Sequence, residues 1–123
     1  MNTRMILIVD DEPTSLELMD YILRKNHFKT ILASKADEAF GLLKDQRPDL
    51  IILDLIMPDM HGTEICKKLK SDPATKDIPV LFVSAMVAEK EIEAGFKAGA
   101  AGYIFKPFET SAVLAKIEEI LKT

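Results

Sequence analysis

Short apolar runs alternate with amphipathic helical patterns five times along this chain. Runs of this length, rich in aliphatic residues, predict strands. The run Leu50–Leu53 has no polar position, which is typical of a strand buried on both faces of a parallel sheet. The run Thr30–Ala33 is expected nearer a sheet edge. The five predicted strands are Met5–Val9, Thr30–Ala33, Leu50–Leu53, Val80–Val83 and Tyr103–Phe105.

A helical pattern follows each of these runs. Leu16, Met19 and Leu23 recur at helical spacing, which predicts a helix from about Thr14 to Lys25. Comparable stripes predict four more helices. Their apolar positions are Ala36, Ala39, Phe40 and Leu43; Ile65 and Leu69; Ile92 and Phe96, within residues 88–97; and Val113, Leu114, Ile117 and Leu121, within residues 110–122.

Strand–helix units repeated in this way predict an α/β fold. The expected architecture is a doubly wound, five-stranded parallel sheet with helices on both faces, a (βα)5 sandwich of three layers joined by right-handed crossovers. The length of 123 residues suits one domain, so residues 1–123 are expected to form a single unit. Sheets of this kind bind ligands outside the carboxyl ends of their strands.

Composition narrows the class of protein. No run approaches the ~20 apolar residues that a membrane span needs, so no membrane partner is expected. The net charge of −4 and the lack of a basic patch argue against nucleic acid binding by this chain. Cys66 is the only cysteine, which excludes an internal disulfide and agrees with a reducing compartment such as the cytoplasm.

The polar residues at the strand ends gather at one rim of the predicted sheet. Asp10 and Asp11 follow strand one, Asp54 ends strand three, Ser84 ends strand four and Lys106 ends strand five. Carboxylates that share a rim raise one another's pKa, and a divalent cation relieves the repulsion. Oxygen ligands favour Mg²⁺, Ca²⁺ or Mn²⁺. A lysine can pair with a phosphate, and a carboxylate beside a metal can accept a phosphoryl group.

Four segments of the chain resemble the signature segments of response-regulator receiver domains, whose fold is flavodoxin-like and CheY-like. The likeness covers essentially the whole chain, in order and at the usual separations. The segments are Ile8–Glu12, with the sequence IVDDE; Leu53–Gly62, with LDLIMPDMHG; Val83–Ala85, with VSA; and Phe105–Pro107, with FKP.

The resemblance implies a phosphoryl acceptor with a metal beside it. Asp54 would be the phosphoacceptor. Asp11 would bind Mg²⁺ directly and Asp10 largely through water, while the backbone carbonyl of Ile56 would be a further ligand. Mn²⁺ would substitute for Mg²⁺.

The resemblance also implies a conformational switch. Lys106 would contact the phosphoryl group, with a cis peptide bond before Pro107. Ser84 would hydrogen-bond a phosphoryl oxygen and move toward it. Tyr103 would then turn inward, which would couple the site to the surface formed by helix four, strand five and helix five.

The partners implied by the resemblance are proteins. A sensor histidine kinase or a histidine phosphotransfer protein would supply the phosphoryl group. A downstream protein or an attached output domain would respond to it, and a phosphorylation-dependent dimer is compatible with the same surface. The domain would catalyse its own phosphorylation and dephosphorylation, with no turnover of an external substrate. The sequence leaves open whether the chain acts alone or belongs to a longer protein.

Three other functions share part of this pattern. A flavin or dinucleotide module has the same fold class, but no glycine-rich loop follows strand one. A phosphatase of the haloacid dehalogenase type has a second acid two residues after its nucleophile, where this chain has Ile56. A degenerate receiver would serve only as an interaction module, although all five key residues are present here.

Several individual residues carry further expectations. Ile56 and Met86 are bulky and apolar where CheY has polar side chains, which predicts slow loss of the phosphoryl group. Met57, Met60 and Met86 would form either a docking surface or local packing. Two local features concern single residues: Ser34 is expected to N-cap the second helix, and His61 is expected to be a solvated loop residue.

Overall fold

A computed structural model describes residues 3–85 and 88–122. It contains the five strands and five helices that the sequence predicts, in the predicted order. Where the pattern predicts bounds, each observed end lies within one residue of its prediction. The elements are β1 (Met5–Val9), α1 (Pro13–Lys25), β2 (Lys29–Ala33), α2 (Ala36–Asp45), β3 (Leu50–Leu53), α3 (Gly62–Ser71), β4 (Val80–Ser84), α4 (Glu89–Lys97), β5 (Gly102–Phe105) and α5 (Thr110–Leu121).

The strands form one parallel sheet in the order β2-β1-β3-β4-β5. β2 lies at an edge, as predicted. The register pairs Val9 of β1 with Leu53 of β3, and Leu53 with Phe82 of β4. β1 and β3 therefore end level with each other, and β4 extends two residues further, to Ser84, so the residues at these strand ends lie at one rim of the sheet.

The central strands are buried on both faces because helices cover each side. On one face α2 and α3 contribute Ala36, Ala39, Ile65 and Leu69 to an apolar cluster with Leu7 and Val9. On the other face α1 and α5 contribute Met19, Leu23, Val113 and Ile117 to a second cluster with Ile6 and Ile8. Alternate residues of one strand thus serve opposite layers. This three-layer arrangement confirms the predicted fold class.

Helix α4 lies close to the sheet because Gly95 faces it. A Cβ atom at Gly95 would lie 3.2 and 3.3 Å from two ring atoms of Phe82 and 3.8 Å from Tyr103. A glycine inside a helix lowers helix stability by about 1 kcal/mol relative to alanine. Close packing of α4 on the sheet offsets that loss here. Among the residues that the structure describes, no helix has the length and apolar character needed to cross a membrane.

Candidate functional site

Three carboxylates meet at the carboxyl end of the sheet. Asp10 and Asp11 follow β1, and Asp54 follows β3, the strand beside it. One oxygen from each carboxylate can be chosen so that the three lie within 4.8 Å of one another. Asp10 and Asp54 are buried, with 6% and 9% of their surface exposed, whereas Asp11 is exposed. The structure thus brings together the acids that the sequence places on a common rim.

Lys106, which follows β5, reaches across to two of these acids. Its Nζ lies 2.9 Å from Oδ2 of Asp10 and 3.0 Å from Oδ2 of Asp54. Oε1 of Glu12 lies farther away, at 3.8 Å. The Lys106–Pro107 peptide bond is cis, as predicted. A single ammonium group therefore bridges the two buried carboxylates.

Each buried carboxylate is oriented by two hydrogen bonds. Oδ1 of Asp10 accepts the backbone N–H of Glu12 at 3.0 Å, and Oδ1 of Asp54 accepts that of Ile56 at 3.2 Å. In both residues the second oxygen, Oδ2, accepts from Lys106. The side chains of Asp10 and Asp54 are thereby fixed in direction before any ligand arrives.

Burial dominates the ionisation of Asp10. It raises the pKa of this carboxyl above its ordinary value, and hydrogen bonds from Lys106 and from the backbone of Glu12 offset the shift only in part. Burial also opposes the charged form of Lys106, but its hydrogen bonds to Asp10 and Asp54 outweigh that effect and raise its pKa. Lys106 is consequently a cation at neutral pH. The ionised form of Asp10 is disfavoured by burial, so a nearby positive charge stabilises it.

The residues of this rim fit a hard divalent cation. Three carboxylates face one ammonium group, which leaves an excess of negative charge at a partly buried position. All the donor atoms are oxygens, the type that Mg²⁺ and Mn²⁺ prefer. The exposure of Asp11 leaves one face of the cluster open to solvent.

The loop that follows Asp54 is held close to the N-terminus of α3. The N–H of Gly62 donates to the carbonyl of Leu55. A Cβ atom on Gly62 would lie 2.7 Å from Cα of Leu55 and 2.8 Å from the carbonyl oxygen of Asp54. Only glycine fits this contact, because the neighbouring atoms belong to the backbone of Asp54 and Leu55.

Ser84 and Tyr103 lie together beside the acids. Ser84 is buried at the end of β4, next to β5 in the sheet. Burial raises the pKa of Tyr103, and a side-chain hydrogen bond with Ser84 offsets part of that increase. The Tyr103 ring packs against Phe82, with the ring centroids 6.0 Å apart. Ser84 and Tyr103 thus lie on neighbouring strands at the same rim of the sheet.

Two residues have contacts that the sequence analysis missed. Asp59 caps α2 from another loop: its two oxygens accept the N–H groups of Ala36 and Asp37, at 2.9 and 3.2 Å. The prediction that Ser34 N-caps α2 is wrong, because the cap position is Lys35 and its side chain makes no capping bond. No local signal points to Asp59, since its partners lie more than twenty residues earlier in the chain.

His61 also has a structural role. Its Nδ1 accepts the N–H of Thr63 at 3.2 Å, which makes it the N-cap of α3. Its Nε2 lies 3.9 Å from a carboxylate oxygen of Glu91 in α4. The expectation of a solvated loop histidine is correct in that 39% of the side chain is exposed, but the sequence does not indicate its capping role.

The methionines near the rim serve local packing where the structure describes them. Met57 is buried in the cluster that underlies α2 and α3, and Met60 packs against it. Met86 lies outside the described residues, so its part in the predicted docking surface and in phosphoryl lifetime stays a prediction.

Comparison with known proteins identifies relatives over nearly the whole chain. Two of them are the heme response regulator HssR of Staphylococcus saprophyticus, 38% identical over 94% of this chain, and the phosphate regulon regulatory protein PhoB of Escherichia coli, 35% identical over 97%. The matched regions make up 50% and 52% of those two proteins. The chain thus spans about half the length of the curated relatives it matches.

Solved structures of response regulators also resemble this chain over nearly its whole length. A putative response regulator from Chloroflexus aurantiacus superposes with a TM-score of 0.95 at 32% identity, covering 99% of this chain and all of the other. The chemotaxis response regulator CheY4 of Vibrio cholerae superposes with a TM-score of 0.92 at 26% identity, covering 98% of this chain and all of the other. The family model for the response regulator receiver domain matches residues 6–118. This chain therefore belongs to the response regulator receiver domain family.

Proposed function

We propose that residues 1–123 act as one receiver domain in which Asp54 accepts a phosphoryl group in the presence of Mg²⁺. The observation that carries this proposal is the setting of the Asp54 carboxylate. It is buried, Lys106 and the Ile56 N–H hold its two oxygens, and Asp10 and Asp11 lie within reach of one cation. Positioning and charge stabilisation are the main resources for phosphoryl transfer, and these residues supply both.

In the proposed reaction an oxygen of Asp54 attacks the phosphorus of a phosphohistidine. The bond from phosphorus to the donor nitrogen breaks, and its electron pair returns to the imidazole ring. Lys106 shifts from the free carboxylate to the phosphoryl oxygens, where its charge offsets the charge of the transferred group. Asp10, Asp11, Asp54 and the carbonyl of Ile56 would hold the cation, for which Mn²⁺ would substitute. When bound, the cation would neutralise negative charge on the carboxylates and on the transferred group.

The response would pass through Ser84 and Tyr103. The Ser84 hydroxyl would turn toward the phosphoryl group, and Tyr103 would turn inward as Ser84 moves. Tyr103 packs against Phe82 and lies near Gly95 of α4, so a change in its position would move the surface formed by α4, β5 and α5. That surface would act on a downstream protein or an attached output domain, or support a phosphorylation-dependent dimer.

The proposed phosphoryl donor is a sensor histidine kinase or a histidine phosphotransfer protein, and the proposed location is the cytoplasm. The lone thiol of Cys66 suits a reducing compartment. We propose a single phosphorylation event rather than turnover of a phosphate ester, because Ile56 stands where the aspartyl-phosphate phosphatases have a second acid.

Intact-protein mass spectrometry tests the proposed function. Incubation with acetyl phosphate and Mg²⁺ is expected to add one hydroxylamine-sensitive phosphoryl group, and omission of the divalent cation is expected to prevent it. Asp54→Asn is the control and should gain none. A phosphoryl group on Asp54→Asn, or repeated turnover of a phosphate ester by the parent, would contradict the assignment.

The lifetime of the phosphoryl group depends in our proposal on Ile56. Its side chain is 49% exposed beside Asp54 and offers no hydrogen-bonding atom to an attacking water. Ile56→Asn would add such an atom, and the loss of the phosphoryl group is expected to become about tenfold faster, which corresponds to about 1.4 kcal/mol of barrier.

The decay of phosphorylated protein after removal of acetyl phosphate measures this effect. Ile56→Leu keeps an apolar side chain and is expected to decay at the parent rate. A double variant with Met86→Glu tests the second predicted position. Equal or slower decay in the Ile56→Asn and double variants would show that these side chains do not limit access of water.

A further inference from the structure

The loop of residues 55–61, which joins β3 to α3, carries the Ile56 backbone beside Asp54. We call it the acceptor loop. Leu55 and Met57 anchor its first half in the core, with 0% and 6% of their surfaces exposed. Ile56 lies between them and is exposed, and its N–H donates to Asp54. Burial therefore holds the first half of the loop, and the second half continues from Met57 through the exposed Asp59.

Asp59, in the second half of the acceptor loop, is exposed but firmly bonded. Both of its carboxylate oxygens accept backbone N–H groups in the first turn of α2. The bond from Ala36 is the main cause of a lowered pKa at Asp59, so the carboxylate is charged at neutral pH. An anion at the N-terminus of a helix also interacts favourably with the helix dipole. The contact ties the acceptor loop to a helix that begins 23 residues before Asp59.

We infer that Asp59 is a positioning residue for the metal and phosphoryl site. By fixing the acceptor loop to α2, it limits the freedom of the loop three residues beyond Ile56. The N–H of Ile56 thereby stays on Asp54, and the Ile56 carbonyl stays in place for the cation. The inference deepens the proposed function and rests on it. Its distinctive claim is that Asp59 acts on the site through the loop, in addition to capping α2.

Glu38 provides a matched control at the same helix. Its carboxylate accepts the N–H of Ser34 at 2.7 Å and the hydroxyl of Ser34 at 2.9 Å. Its pKa is likewise lowered, chiefly by the backbone bond. Glu38 thus helps to order the start of α2 as Asp59 does, but it has no bond to the acceptor loop. Loss of Glu38 should weaken α2 without loosening the loop.

The experiment compares the parent, Asp59→Ala, Asp59→Asn and Glu38→Ala by isothermal titration calorimetry with MgCl₂. Asp59→Ala is expected to weaken Mg²⁺ binding about tenfold, the scale typical of residues that orient metal ligands. Asp59→Asn retains one acceptor oxygen and should fall between Asp59→Ala and the parent. Glu38→Ala should bind Mg²⁺ as the parent does, although thermal melting should show both alanine variants to be less stable.

The possible results separate this inference from the proposed function. Equal Mg²⁺ affinity in Asp59→Ala and Glu38→Ala, with a parent that binds Mg²⁺ and is phosphorylated on Asp54, would overturn the positioning role alone. A parent that neither binds Mg²⁺ nor accepts a phosphoryl group would overturn both. If Asp59→Ala does not fold, Asp59→Asn is judged by the same comparison with Glu38→Ala.

Discussion

Replacement of Lys106 by methionine is expected to slow the phosphorylation of Asp54 about a hundredfold, the scale of losing one preorganised charge partner. It should also lower the metal-free free energy of unfolding by about 3 kcal/mol. The reason is that Lys106 is the ammonium group that bridges Asp10 and Asp54 at 2.9 and 3.0 Å. Without it, two buried carboxylates keep their desolvation cost and lose their counter-charge.

The stability deficit of Lys106→Met should depend on pH and on metal. The pKa of Asp10 is already raised by burial, so its ionised form opposes folding above that pKa. Loss of Lys106 should raise this pKa further, and the deficit should therefore shrink as the pH falls and Asp10 takes up a proton. Mg²⁺ should recover part of the lost stability by mass action, because the proposed site is assembled only in the folded state.

Urea unfolding with and without Mg²⁺, together with the rate of phosphorylation by acetyl phosphate, measures these effects. Lys67→Met is the matched control, since Lys67 forms only an exposed ion pair with Glu64 at 3.9 Å. An exposed pair of this kind is worth less than about 1 kcal/mol. A Lys106→Met protein that matched Lys67→Met in both assays would rule out a central role for Lys106.

The sequence was sufficient to predict the strand ends and their common rim. Leu50–Leu53 is apolar throughout and is followed at once by Asp54, so the end of β3 could be predicted to the residue. Parallel strands in a doubly wound sheet then require Asp10, Asp54 and Lys106 to meet at one edge. A local pattern and a topological rule are sufficient for this rim, because neither depends on side-chain packing.

Contacts between helices and distant loops were beyond that reasoning. Asp59 lies in an ordinary polar loop, and its partners are set by how α2 packs on the sheet. The contact of His61 with Glu91 depends likewise on α4, whereas its cap of Thr63 is local and histidine is not among the usual N-cap residues. The sequence predicts Ser34 as a local N-cap, but Asp59 accepts the N–H groups of Ala36 and Asp37 instead, and Glu38 bonds Ser34 itself. A side chain from elsewhere in the fold can take over a capping role whenever packing brings it close enough, and a local sequence rule does not detect this.

Substitution of Gly62 by alanine is expected to lower the free energy of unfolding by about 3 kcal/mol and to impair phosphorylation of Asp54 as well. An added Cβ would lie 2.7 Å from Cα of Leu55 and 2.8 Å from the carbonyl oxygens of Asp54 and Leu55. These are backbone atoms, so relief of the overlap requires α3 to move away or the acceptor loop to shift. Overpacking of a tight contact typically lowers the free energy of unfolding by about 1 to 3 kcal/mol. We expect a value near the upper limit here, because the neighbouring atoms are backbone atoms and no flexible side chain can move aside.

Gly41, in contrast to Gly62, has open space around the position of an added Cβ atom. It lies inside α2, and nothing lies within 4 Å of the position of an added Cβ. Gly41→Ala should therefore raise the free energy of unfolding by about 0.5 to 1 kcal/mol through its helix propensity, with phosphorylation unchanged. Urea unfolding and phosphorylation rates of the two variants measure both effects. Similar stability changes in Gly62→Ala and Gly41→Ala would show that the backbone contact below α3 does not constrain the acceptor loop.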